Sequence, residues 1–134
     1  MLRFLFPTLL IAALIATACG VTISAPTPGP DMTDQITVPA PSSGAARLTI
    51  SFGAGKLSLS PGAGGLVEGT AVYNLKDLKP EIITTGNSVE IRQGSFKSFT
   101  YPGNLKNEWN LRLGSTPMDL TIKAGAYDAE YEFD

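Results

Sequence analysis

Apolar and polar residues alternate along the chain with a period of two from Arg47 onward. Leu48, Ile50 and Phe52 alternate with Thr49 and Ser51, and Leu57 and Leu59 with Ser58 and Ser60. Leu66–Tyr73, Glu81–Thr85 and Val89–Arg92 form further short extended runs. Trp109, Leu111 and Leu113 alternate with Asn110 and Arg112, and Leu120 and Ile122 with Thr121 and Lys123. Ala129, Tyr131 and Phe133 close the series against Glu130 and Glu132. A period of two places alternate side chains on opposite faces of a strand, so these runs predict half-buried β-strands. Turn-forming residues separate them: Gly53-Ala54-Gly55, Pro61 to Gly65, Gly86-Asn87, Pro102-Gly103-Asn104 and Gly114 to Pro117. Only Leu75–Leu78 has the makings of a short helical turn. The expected fold class is all-β, built of stacked short strands over residues 47–134.

One of these segments recurs. Leu48-Thr49-Ile50-Ser51-Phe52-Gly53-Ala54 matches Leu120-Thr121-Ile122-Lys123-Ala124-Gly125-Ala126 at five of seven positions, at an offset of 72. Val89-Glu90-Ile91-Arg92-Gln93-Gly94-Ser95 is a weaker third copy. Each copy is a β stretch running into a small-residue corner, where glycine permits backbone angles closed to other residues. Repetition of this kind predicts stacked layers, each burying its apolar face against the next.

Residues 1–46 follow a different pattern. Arg3 precedes an apolar stretch, Phe4–Ile15, which leads to the small residues Ala16, Thr17 and Ala18 before Cys19. That order is the layout of a secretory signal peptide over residues 1–18. The apolar stretch is shorter than the roughly 20 residues of a membrane-spanning helix. Ala16-Thr17-Ala18-Cys19-Gly20 resembles a bacterial lipoprotein signal, although Ala16 stands where that signal usually carries leucine. The resemblance implies cleavage after Ala18, diacylglyceryl transfer to the Cys19 thiol, and often acylation of the new amine. Two or three such chains anchor a protein firmly, at roughly 0.8 kcal/mol per buried CH₂. The other reading is an unlipidated secreted chain with a free thiol. Residues 19–46 then read as a linker, with Pro26, Pro28, Pro30, Pro39 and Pro41 among Thr, Ser and Gly. Fully extended, Ser24–Ala46 would reach roughly 70 Å. Its one apolar spot is Ile36-Thr37-Val38.

Composition narrows the chemistry. The 134 residues carry a net charge of −2, and losing Arg3 with the signal makes the mature chain more acidic. That balance excludes an electrostatic nucleic-acid footprint and leaves lipid rather than charge to hold the chain at a membrane. There is no histidine and one cysteine. An imidazole base, a Ser-His-Asp triad, an internal disulfide and a cysteine-rich zinc site are therefore all ruled out. No catalytic residue, cofactor or metal ligand is assigned, and the expected function is not enzymatic.

Three features invite a site, each with a plainer reading beside it. Asp128, Glu130, Glu132 and Asp134 share one strand face and offer carboxylates for Ca²⁺, but no calcium-loop spacing accompanies them. The plainer reading is a charged face that protects an edge strand. Gly53-Ala54-Gly55-Lys56 lacks the glycine and hydroxyl of a phosphate loop, so a turn is expected. Phe96, Phe99, Tyr101 and Trp109 could stack on a cell-wall polymer, or could fill the core.

Over residues 47–134, Leu48 to Leu59, Leu66 to Asn74, Lys79-Pro80-Glu81, Trp109 to Leu113 and Pro117 to Ala126 resemble a bacterial toastrack domain. The resemblance implies a single-stranded β-solenoid or a related stacked-β fold in an envelope protein without catalytic residues. The expected role is that of a scaffold, interaction or stress-sensing module beside the membrane, with an envelope protein or a second copy as partner. The alternative is a secreted module that binds wall glycan through exposed aromatics. Phe133-Asp134 falls within or just after a strand, with no polar closing layer, which leaves a truncated array or a docking edge as the two expectations.

Overall fold

The computed structural model describes residues 26–94 and 103–133. It is all-β, with seven strands: β1 (Met32–Val38), β2 (Ala46–Pro61), β3 (Val67–Tyr73), β4 (Pro80–Thr85), β5 (Ser88–Gln93), β6 (Asn107–Leu113) and β7 (Met118–Tyr131). The predicted helical turn is a single 3-10 turn, Lys76–Leu78. All seven strands join one sheet in the order β1-β3-β6-β2-β5-β4, with β7 also paired to β2.

The organising element is β2. One edge of it carries β7, parallel, from Ala46 to Leu59. A strand has only two edges, so β5 and β6 share the other: β5 along Arg47–Ser51 and β6 along Lys56–Pro61, both parallel. The sheet therefore has two arms that meet at the middle of β2. One arm runs β4-β5-β2-β7 and the other β1-β3-β6-β2-β7, and the buried residues of both form one core cluster. The result is a nearly closed, barrel-like sheet.

The inward face changes parity where the arms meet. Ala46, Leu48, Ile50 and Phe52 are buried before the corner, and Leu57 and Leu59 after it. Gly55 takes φ 129° there, and a Cβ at that position would collide with the Asn107 carbonyl. Between the end of β5 and the start of β6, the corner has no ladder partner on that edge. Backbone groups left without a ladder need other partners, and two amide side chains supply them. Gly53 N–H donates to Gln93 Oε1 at 2.9 Å, and Asn107 Nδ2 donates to the Ala54 carbonyl at 2.8 Å. Asn107 Nδ2 also donates to Gln93 Oε1 at 2.7 Å, and Trp109 Nε1 donates to Asn107 Oδ1 at 3.1 Å.

The three repeat copies lie side by side. Leu48 pairs with Leu120 across the β2–β7 ladder and with Val89 across β2–β5, and Ile50 pairs with Ile122 and Ile91. Sequence offset has become ladder register, and like residues stack on like. The single-stranded solenoid is not what the rest of the sheet shows. The β1–β3, β3–β6 and β4–β5 pairs are antiparallel, so parallel stacking is confined to β5, β6, β2 and β7.

The linker expected over residues 19–46 needs correction at β1. Met32–Val38 pairs with β3 along its whole length and buries Ile36 and Val38. The five prolines hid it, yet all of them lie outside the strand, and Asp34, Ile36 and Val38 on the inward face alternate with Thr33, Gln35 and Thr37 on the outward one. Ile36 and Val38 each gain about 1.5–3 kcal/mol by that burial, which a lone apolar triplet in a Pro-rich segment does not advertise.

Candidate interaction surface

β7 is the outermost layer of the parallel stack. Among the described residues, no strand other than β2 pairs with it. Met118, Leu120, Ile122 and Tyr127 pack against the core but remain half-buried, whereas Leu48 and Ile50 one layer in are fully buried. The parity change at the corner carries over from β2: the inward residues are even-numbered before Gly125 and odd-numbered after it. Tyr127 and Tyr131 share a hydroxyl–hydroxyl contact of 3.2 Å, and the rings of Tyr131 and Phe133 lie 6.1 Å apart. Partial burial, then the contact with Tyr127, pushes the Tyr131 phenol up to about 12. Phe133 is 62% exposed. Ser60, Pro61, Leu113, Met118, Leu120 and Phe133 line a hollow of about 270 Å³ at this end of the core.

The outward face of β7 is charged. Asp119 and Lys123 lie on its first half, Asp128 and Glu130 on its second, and Glu132 just past its end, all exposed. The expected sharing of one face therefore holds for Asp128, Glu130 and Glu132, while Asp134 lies outside the described residues. No group of three or more His, Cys, Asp or Glu among the described residues is placed to hold a metal ion.

The outer face of the second arm is polar. Gln35, Thr70, Asn110, Ser58 and Glu130 form one row across five strands. Thr37, Glu68, Arg112 and Ser60 form the next, with Arg112 paired to Glu68 at 3.2 Å. The rows line a shallow cup of about 550 Å³. Its donors and acceptors are those of any solvated sheet face.

The other sequence candidates fall as follows. Gly53-Ala54-Gly55-Lys56 is the corner of β2, not a loop before a helix, and cradles no phosphate. Trp109 is fully buried, edge-on to Phe52, and cannot stack on a glycan. Phe96, Phe99 and Tyr101 lie outside the described residues, as does Cys19 with the whole signal segment. Sequence reading passed over the exposed Ile82 and Ile83 on β4, the sheet's edge strand on the opposite side. No described helix is long and apolar enough to cross a membrane.

The nearly closed all-β sheet, with its parallel stack of β5, β6, β2 and β7, defines the class of the domain. Residues 27–134 match the model of the N-terminal domain of toast_rack, DUF2154, and the chain belongs to that family. The match begins ahead of β1, in agreement with a domain that includes it. A crystal structure described as a putative cell adhesion protein from Clostridium sporogenes is similar in fold, with a TM-score of 0.71 and 26% identity. The similarity covers 76% of this chain and 51% of that one, so the present chain spans about half the length of the solved relative. No curated protein matches the chain.

Proposed function

We propose that this chain is an extracytoplasmic lipoprotein, anchored by lipid on Cys19, whose toastrack domain serves the cell envelope as a scaffold or interaction module. It works by binding, not by catalysis, and responds to envelope stress through what its exposed strand edge engages. Family membership over residues 27–134 is the observation that carries this reading. The likeness to a Clostridium sporogenes protein named for cell adhesion supports a place at the cell surface. The lone cysteine, directly after a charged, apolar and small-residue leader, supports the lipid anchor. With β1 in the domain and the Gly29 N–H bonded to the Asn74 carbonyl, the tether shortens to Cys19–Pro28, which at about 3.1 Å per residue reaches roughly 30 Å. The domain then works close to the bilayer.

Fractionation of intact cells tests the reading. The protein is expected in the membrane fraction and open to external protease, and Cys19→Ala is expected to release it into the medium. Retention of wild-type protein in the cytoplasm would overturn the proposal.

A further inference from the structure

We propose that the cup on the outer face of β1, β3, β6 and β2 binds an uncharged, extended glycan rich in N-acetylhexosamine, laid across the four strands. The proposal rests on the interaction-module reading above and names its ligand class.

The layout of the cup carries the argument. One by one its groups are those of any solvated sheet face, but they stand in two parallel rows with a bare track between them. The Gln35 row lies on one side and the Thr37 row on the other. The track is the backbone of Ile36, Gly69, Leu111 and Leu59, in register on the same four strands. Ile36, Leu111 and Leu59 are each 1% exposed, so their side chains point away from the cup into the core. Gly69 has no side chain, and a Cβ there would collide with the Asn110 carbonyl. β3 and β6 therefore meet beneath the cup more closely than another residue would allow. The hollow of about 550 Å³ is built into the backbone and falls within the size range of small-ligand sites.

Spacing points to the ligand. Neighbouring strands lie about 4.8 Å apart. That is close to the advance of one pyranose ring along an extended β-linked glycan, so such a chain sets one ring over each strand. Alternate residues on one strand are about 6.7 Å apart. The two rows thus flank each ring at its edges, where hydroxyl and acetamido groups project. A polypeptide laid the same way advances about 3.3 Å per residue and falls out of step with the strands.

The chemistry of the rows agrees. Gln35 and Asn110 each offer an amide donor and an amide acceptor, the complement of an acetamido group, and the Ser and Thr hydroxyls beside them both donate and accept. Arg112 and Glu68 are paired at 3.2 Å, so the cup carries no net charge. An uncharged ligand complements it, and a phosphate-bearing one does not. The buried Ile36 and Leu111 give an acyl chain or an amphipathic helix nothing apolar to cover. Trp109 takes no part. Without aromatic stacking, each ring contributes little and affinity grows with chain length.

The test titrates full-length protein, extracted in detergent, with β-1,4-linked N-acetylglucosamine oligomers in a calorimeter. Affinity should rise from the disaccharide to the tetrasaccharide and gain little beyond it. Asn110→Ala and Gln35→Ala should each weaken tetrasaccharide binding about fivefold, and the double variant about 25-fold, because β3 separates the two positions. Both side chains are exposed, so folding persists. Glu81→Ala, on the other arm, should leave binding unchanged. Absence of tetrasaccharide binding would overturn the proposal, as would binding that the cup variants leave intact. A Ser- and Thr-rich peptide held as tightly at the same residues would overturn the glycan assignment. The interaction-module reading stands in each of these cases. Absence of the chain from the membrane fraction would instead count against that broader reading.

Discussion

Phe52 stands edge-on to Trp109, with 5.1 Å between ring centroids and 69° between ring planes. Phe52 ends the first half of β2 and Trp109 lies on β6, so this contact joins the two arms where the sheet turns. Trp109→Ala should cost about 3–5 kcal/mol through the cavity it leaves. As the sole tryptophan, Trp109 reports its own burial. Its fluorescence should be blue-shifted and resist acrylamide in the native protein, and chemical denaturation should quantify the loss in the variant.

Asn107 is 2% exposed and holds the corner of β2, Gln93 and the Trp109 indole together. Asn107→Ala leaves the Trp109 N–H and the Ala54 carbonyl without partners, each at about 1–3 kcal/mol. The expected result is a midpoint shift in urea unfolding well beyond that of an exposed-site control such as Asn110→Ala.

Gly55 has no tolerated substitute. With φ at 129° and the Asn107 carbonyl against its missing side chain, Gly55→Ala meets both backbone strain and a collision. The variant should be strongly destabilised or fail to accumulate. Gly62→Ala also sits at positive φ, but in open space, and should cost less. Thermal unfolding of the pair separates the two effects.

Tyr73 donates its hydroxyl to Asp34 at 2.7 Å. Burial, then the bond to and the charge of Asp34, raise the phenol from 10.0 to about 12. The folded state thus holds this proton more tightly than the unfolded chain. The resulting stability is complete below pH 10 and is lost as the pH rises from there towards 12. Asp34→Asn should lower the phenol towards its ordinary value and reduce that alkaline loss, measured as unfolding midpoints between pH 9 and 12.

β1 is part of the folded unit. A chain beginning at Arg47 loses Ile36 and Val38 from the core and exposes the β3 edge, so it should not fold cooperatively. A chain beginning at Pro26 should. Circular dichroism during thermal unfolding distinguishes them.

The alternation of Leu48, Ile50 and Phe52, and of Trp109, Leu111 and Leu113, made the strands legible because each has one face on the core. The repeat at an offset of 72 was equally legible, and it proved to be the register of β2 against β7. Two features escaped. β1 offers one apolar triplet among prolines, and its burial depends on β3, some 30 residues away. The antiparallel arms depend on which edges β3 and β4 reach, which alternation does not encode. At the candidate surface, the charged face of Asp128, Glu130 and Glu132 was visible. The half-covered Met118, Leu120 and Ile122 were not, because a strand's alternation is the same whether or not another layer follows it.

The intact mass of the protein extracted from its native membrane, beside that of Cys19→Ala, tests the central claim most directly. A mature wild-type chain beginning at Cys19 and carrying the added mass of a diacylglyceryl group, lost in the variant, is the expected result. A bare chain of unmodified mass, recovered from the medium, would contradict it.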